Sequence, residues 1–252
     1  MSADLEEIVE FMDCELRIAE LPDYPGALNG LQLNGAKKVD HIVAAVDASL
    51  PVVRKAVDAG ADLLLVHHGM FWNGAKPVTG ALFDKLKLAM DAGMAIYSAH
   101  IPLDVHPELG NNAVLVTKLG LQHPEPFFEW KGIQLGCKGL FSGDRGELAA
   151  RLRECLGGEV HLCPGGSAPA GQVGVITGGA GSEIEAIAAA GIDTFITGEG
   201  PHWSFTAAEE LGVNVLYGGH YATETFGVKA LAQRVTERFA LDWAFVDHPT
   251  GL

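Results

Sequence analysis

The sequence predicts an α/β fold made by internal duplication, with a first α/β half over residues 1–125 and a second over 126–252. Three observations lead there. Continuous apolar runs such as HIVAAVD (41–47) and ADLLLVHHG (61–69) read as strands buried on both faces. Helical stretches separate them, which argues for a mainly parallel sheet. The pattern then returns later in the chain at a constant spacing.

Taken in order, the opening segment is helical, with Leu5, Ile8, Val9 and Met12 on one face. Pro22 and Pro25 follow in a loop, and the run Asn29-Gly30-Leu31-Gln32 either lines the pocket or, as a turn followed by a strand, needs no function. The strand 41–47 ends in an acid. A helix over 49–59 stops at Gly60, and the strand 61–69 has polar last residues. A helix near 80–92 leads to the strand MAIYSAH (94–100). The middle, about 123–170, differs, and its Gly/Pro-rich CPGGSAPAG reads as a linker or exposed turn at a sub-domain junction.

After that stretch, GQVGVITGGAGSEIEAIAAAGIDTFITGEG (171–200) overlies residues 39–69. Asp193 follows Asp62, and Gly191 follows Gly60, by the same 131 positions. His220 follows His100, and Glu224 follows Asp104, by 120. Each half therefore carries a His-x-x-x-acid motif after the corresponding strand. The C-terminal part, with a helix from about 223 to 238, packs back onto the first half in this scheme.

The chain has 252 residues, enough for one large domain or two small ones. A net charge of −15 repels phosphate backbones, so long nucleic acid is a poor partner. The four Cys form no CxxC pair and read as reduced thiols of a cytoplasmic protein. The acidic, amphipathic start is no signal peptide, and no apolar run approaches the roughly 20 residues of a membrane span.

Ligands of parallel α/β sheets bind outside the carboxyl ends of the strands, and the unusual polar residues collect there. His67 and His68 close one strand. His100 closes the next, with Asp104 four residues on in a loop. His220 and Glu224 take the matching place in the second half, and Glu199 and His202 follow the counterpart of the His-His strand. Neutral imidazole and carboxylate are ligands for Zn, Fe, Mn or Ni. Adjacent residues on a regular strand point to opposite faces. His67 and His68 thus share a site only if the strand has ended, or else serve two ions. So many ligands suit two ions about 3.5–4 Å apart bridged by a carboxylate or water, and a bridging hydroxide would be a nucleophile near neutral pH. His106, His123, His161 and His248 read as exposed, and Trp203 and Phe205 as core packing or, beside His202, a pocket wall. TGGAGS (177–182) lacks the Lys of a P-loop.

LLLVHHGMFW, SAHIPLDVHPELGNN, TGEGPHWS and GGHYATETFGVKAL, with NGLQ near the start, resemble the dinuclear-metal-centre family labelled GTP cyclohydrolase 1 type 2-like, in its short form without an inserted domain. The resemblance implies two α/β domains with a metal site in the cleft between them. It implies the ligands His67, His68, Asp104, His220 and Glu224, with Glu224 bridging and His100 beside the site. It also implies a toroidal homohexamer and a hydrolase acting on GTP or another nucleotide or heterocycle. On that basis His100 or His202 would move a proton and Glu199 would orient a small-molecule substrate. Many members carry a second His where this chain has Trp203. Two other functions fit the same residues: a non-catalytic metal-binding assembly protein, and a phosphoesterase of small substrates.

Overall fold

A computed structural model describes residues 2–71 and 76–251, so Trp72 of the LLLVHHGMFW motif lies outside the described residues. By contact density the chain divides into two units. The first comprises residues Met1–Leu103 with Gly227–His248, the second Asp104–Phe226 with the last four residues. These bounds differ from the repeat boundary at 125/126, because the end of each repeat belongs to the unit built by the other.

The first unit contains β1 (Ala3–Asp4), α1 (Leu5–Glu15), β2 (Gly30–Leu33), β3 (Lys38–Val39) and β4 (His41–Asp47). It continues through α2 (Leu50–Asp58), β5 (Leu63–His68), α3 (Gly80–Asp91) and β6 (Ala95–Ser98). The one-turn helix α4 (Ile101–Asp104) ends it. The second unit contains α5 (Asn111–Leu119), β7 (Gln122–Trp130), β8 (Ile133–Asp144), α6 (Arg145–Leu156), β9 (His161–Pro164) and β10 (Pro169–Val175). After a 3₁₀ turn come α7 (Ile184–Ala189), β11 (Thr194–Thr197), α8 (His202–Leu211), β12 (Asn214–Tyr217) and the one-turn α9 (His220–Thr223). Helix α10 (Thr225–Phe239) leads back to the first unit, where β13 (Asp242–Phe245) is an edge strand.

The sheet of the first unit runs β13-β4-β5-β6-β2, and that of the second β7-β8-β10-β11-β12-β9. Strands β4, β5 and β6 are mutually parallel, as are β10, β11 and β12. In both sheets an antiparallel strand from earlier in the sequence flanks the third of these, β2 beside β6 and β9 beside β12. The two sheets thus share a four-strand core. Val43, Leu64, Val66 and Ile96 fill one face of the first, and Leu148, Val173, Ile196 and Leu216 lie in the core of the second. Among the described residues no helix is long and apolar enough to cross a membrane.

The repeated Ala-Gly-x-Asp turn has the same work in each unit. Gly60 and Gly191 take φ of +74° and +75°, where a side chain would be strained. The Asp62 amide donates to His41 O, and its Oδ2 accepts from the Asp40 and His41 amides at 2.8 and 3.0 Å. Asp193 donates to Gln172 O and accepts from the Gln172 amide at 2.7 Å. Asp62 therefore fixes the start of β4, and Asp193 fixes β10 at Gln172, just before its parallel pairing with β11 begins.

In the middle of the chain CPGGSAPAG is the exposed turn of its two readings and not a linker at a junction: it contributes the end of β9, a turn and the start of β10, all within one sheet. A Cβ on Gly165 would overlap the backbone oxygens of Val213 and Ala208, so this glycine is there for close packing rather than freedom. The preceding stretch forms the β7–β8 hairpin.

Replacing Asp62 with Ala should lower the unfolding free energy by about 2 kcal/mol, since it leaves two amides without their charged acceptor, while Asp193→Ala, with one bond and more exposure, should cost about 1 kcal/mol. Urea denaturation of the two variants checks the ranking, and equal or reversed losses would contradict it.

Candidate metal centre

In the first unit the apolar run of β5 carries its polar end out to the carboxyl edge of the sheet. His67 is fully buried and His68 half-buried. Both lie within β5, at its last two positions, yet their ring centroids are 4.8 Å apart. The strand ends at His68, so two rings rooted on opposite faces meet beyond it. Gly69 follows, and a Cβ there would overlap the Gln32 amide, whose Oε1 accepts from the Met70 amide at 2.7 Å.

Each imidazole is held through Nδ1. His67 Nδ1 lies 2.9 Å from Ala99 O. A carbonyl can only accept, so Nδ1 carries the proton and Nε2 the lone pair. His68 Nδ1 lies 2.8 Å from Oδ1 of Asp47, its neighbour across the parallel β4–β5 register. His100 Nδ1 lies 2.8 Å from Asp23 Oδ1. Asp23 accepts from the Asn29 amide group and from the Ile101 and Tyr24 backbone amides, and Asn29 Oδ1 accepts from the His100 amide. Burial raises the Asp23 pKa, but these donors and His100 outweigh it and hold the carboxyl below its ordinary value. A ring nitrogen from each of His67, His68 and His100 lies within 4.8 Å of the others. Metal-binding imidazoles are held in this way, with one nitrogen donating to a carboxylate or carbonyl and the other left as a ligand.

In the second unit the motif His-x-x-x-acid wraps one helical turn. β12 stops at Tyr217, and Gly219, at φ +90°, turns the chain into α9. The i,i+4 spacing brings His220 Nε2 to 3.1 Å from Oε2 of Glu224, which is 3 % exposed. Glu199 Oε1 lies 2.9 Å from His220 Nδ1. Gly178, at φ +72°, lies so close that a Cβ would overlap Glu224 Oε1. Buried Asp104 accepts from Asn111 Nδ2 at 2.8 Å, and its backbone oxygen from Asn112 Nδ2 at 3.3 Å.

Several expectations are corrected. Asp104 is not in a loop but ends the helical turn α4. Glu224 sits between α9 and α10 rather than in the first turn of a longer helix. β6 stops at Ser98, two residues short of His100, which frees Ala99 O for His67. In the run TGGAGS, which lacks a P-loop Lys, the amides of Gly178, Ala180 and Gly181 donate within the chain, to Thr223, Thr197 and Glu199. Trp203 is 49 % exposed rather than packed in the core, since it faces out from the first turn of α8. His202 is exposed beside it, as are His123 and His161. His106 and His248 are partly buried: His106 Nδ1 accepts from the Glu108 and Leu109 amides, and His248 lies 3.3 Å from Lys55 Nζ. Asp47 and Asp23 do not stand out in the sequence. Asp47 carries a signal, as the acid that ends an apolar strand; Asp23, between two prolines, carries none.

Burial lowers the His220 pKa, but Glu224 and then Glu199 more than offset it and raise it to about 9. A metal at Nε2 must displace that proton. In the metal-free chain the raised value stabilises the fold. That contribution is fully present below the unfolded value of 6.5 and disappears as pH rises through about 9. Melting curves in chelator should show the gap between the parent chain and His220→Ala closing over that window. A gap that is constant with pH would contradict the assignment.

The chain resembles known proteins over nearly its whole length. The model of the Duf34/NIF3 (NGG1p interacting factor 3) family matches residues 3–250. A "GTP cyclohydrolase 1 type 2 homolog" of Pyrococcus abyssi is 44% identical over 98% of this chain and 99% of its own. The protein of the same name in Deinococcus radiodurans is 43% identical, over 98% and 94%. The crystal structure of TTHA1606 from Thermus thermophilus superposes with a TM-score of 0.86 at 39% identity, covering 99% of this chain and 100% of that one. With its α/β fold and with imidazole and carboxylate groups that can hold a metal ion, the chain belongs to the Duf34/NIF3 family.

Proposed function

We propose that the chain is a metal-dependent hydrolase whose two divalent ions are held by His67, His68, Asp104, His220 and Glu224, with Glu224 shared between them. The observation that supports this best is the fixing of imidazole tautomers. His67, His68 and His220 are each held at Nδ1 by a carbonyl or carboxylate, which leaves Nε2 as the ligand atom. All the donors are nitrogen or oxygen, which suits Zn, Fe, Mn or Ni. Two such ions supply a water acidified toward neutral pH for attack on a carbon or phosphorus centre.

The side chains then have separable tasks. Asp47 and Ala99 orient the first pair of imidazoles, and Glu199 orients His220. Asn111 holds one oxygen of Asp104 and so orients that carboxylate. His100, anchored by Asp23, is the proton carrier that this geometry favours; exposed His202 is the other candidate. The names of the relatives point to a nucleotide or another heterocycle as the small-molecule substrate. With 17 basic residues in the whole chain, the ions themselves would take much of a phosphate's charge. The family resemblance adds a homohexamer.

Elemental analysis of the isolated protein should find about two ions per chain. Fewer than about one, with no gain on reconstitution, would overturn the dinuclear assignment. Glu224→Ala should abolish hydrolysis while light scattering still reports the hexamer. Loss of assembly on metal removal, with no hydrolysis in the loaded protein, would favour the non-catalytic assembly role instead. Asp47→Ala should weaken metal affinity about 10–100-fold without unfolding the chain, because His68 loses its orienting partner. An unchanged affinity by competition with a fluorescent chelator would remove Asp47 from the site.

A further inference from the structure

Away from the histidines, the first unit carries a cavity of about 640 Å³ along α1, bounded by the turn after that helix and by β2. That volume lies within the range of small-molecule sites, about 300–1,000 Å³. Its apolar wall is Val9, Ile18 and Leu31, each only half-buried in this chain. The helix opens the space by its ending. Arg17 adopts φ +52°, a left-handed conformation that strains a non-glycine residue. The amide of Ile18 donates back to Asp13 O, so the chain folds over and lays Ile18 along the cavity.

The charge around this wall has one sign. The Arg17 guanidinium binds Glu20 through both Nε and Nη2, at 2.8 and 2.5 Å, so these two charges cancel locally. Glu6, Glu10 and Asp13 also line the cavity, and no lysine or arginine pairs with them among the described residues. Asp13 is fixed in place: its Oδ1 accepts from the hydroxyl of Tyr97, a fully buried ring. The cavity therefore combines an apolar wall with three carboxylates, one of them immobilised.

We propose that this cavity is a binding site for a small amphipathic cation, an organic ammonium ion carrying an apolar body. The body would displace water from Val9, Ile18 and Leu31, and the ammonium group would sit among Glu6, Glu10 and Asp13. A neutral apolar ligand would leave the carboxylates uncompensated, and an anionic one would be repelled.

Tryptamine is a suitable probe, with indole-3-propionate as the same ring bearing the opposite charge. The exposed thiol of Cys14 lines the cavity, whereas Cys137 and Cys155 are partly buried and Cys163 is buried. Binding can thus be read by calorimetry on the full chain and by protection of Cys14 from alkylation. Tryptamine should bind at one site per chain, slow Cys14 alkylation and bind more weakly as salt rises. Glu10→Lys and Glu6→Lys on the exposed face of α1 should each raise its dissociation constant at least about tenfold. Val9→Trp, which fills the cavity, should abolish binding; should that variant fail to fold, the two lysine variants carry the test. Equal binding of indole-3-propionate, or no effect of either lysine variant, would overturn the proposal. So would a Cys14 that is unreactive in the parent chain and freed by dilution, since a second copy would then occupy the cavity. None of these measurements depends on metal or on hydrolysis.

Discussion

An imidazole has two nitrogens, and the partner of one decides what the other can do. In this chain the hydrogen bond to Nδ1 is the constraint from which the rest of the site follows. It is supplied by a carbonyl for His67 and by carboxylates for His68, His100 and His220. Asp47, Ala99 and Glu199 sit at the carboxyl edge of a parallel strand or just beyond it, whereas Asp23 comes from the stretch between α1 and β2. The sheet register therefore sets the chemistry: because Asp47 pairs with His68 across β4 and β5, a slip of one residue would turn the carboxylate to the other face.

The duplicated halves reach the same end with the same local devices. A glycine in the left-handed region and an aspartate clamp the neighbouring parallel strand in both. A histidine followed four residues later by an acid wraps a single helical turn in both. What differs is the second layer of support. The first half uses carboxylates from separate loops and strands, Asp23 and Asp47. The second uses Glu199, and it brings a glycine loop so close to Glu224 that no side chain fits at Gly178.

Much of this is legible in the sequence. The strands β4 and β5 announce themselves as apolar runs, β10 and β11 by their match to them at a constant spacing, and the ligand candidates as polar residues where those strands stop. The repeat spacing alone gives Glu224 and Asp104 matching places in the two halves. The β7–β8 hairpin is not legible, and the stretch between β9 and β10 reads as turn or linker without the choice being decided, for a physical reason. Their glycines mark close backbone approach to residues far along the chain, such as Gly165 against Ala208 and Val213, and composition cannot tell that from a flexible linker. Asp23 escapes notice because an acid in a proline-flanked loop looks like any other until His100 is beside it.

The chain leaves its first unit between His100 and Asp104, and returns just after Glu224. Each repeat therefore lends its final helix and strand to the sheet of the other: α5 and β7 go to the second unit, α10 and β13 to the first. A chain cut between the repeats would therefore leave each sheet without an edge strand, so neither repeat alone carries a whole unit.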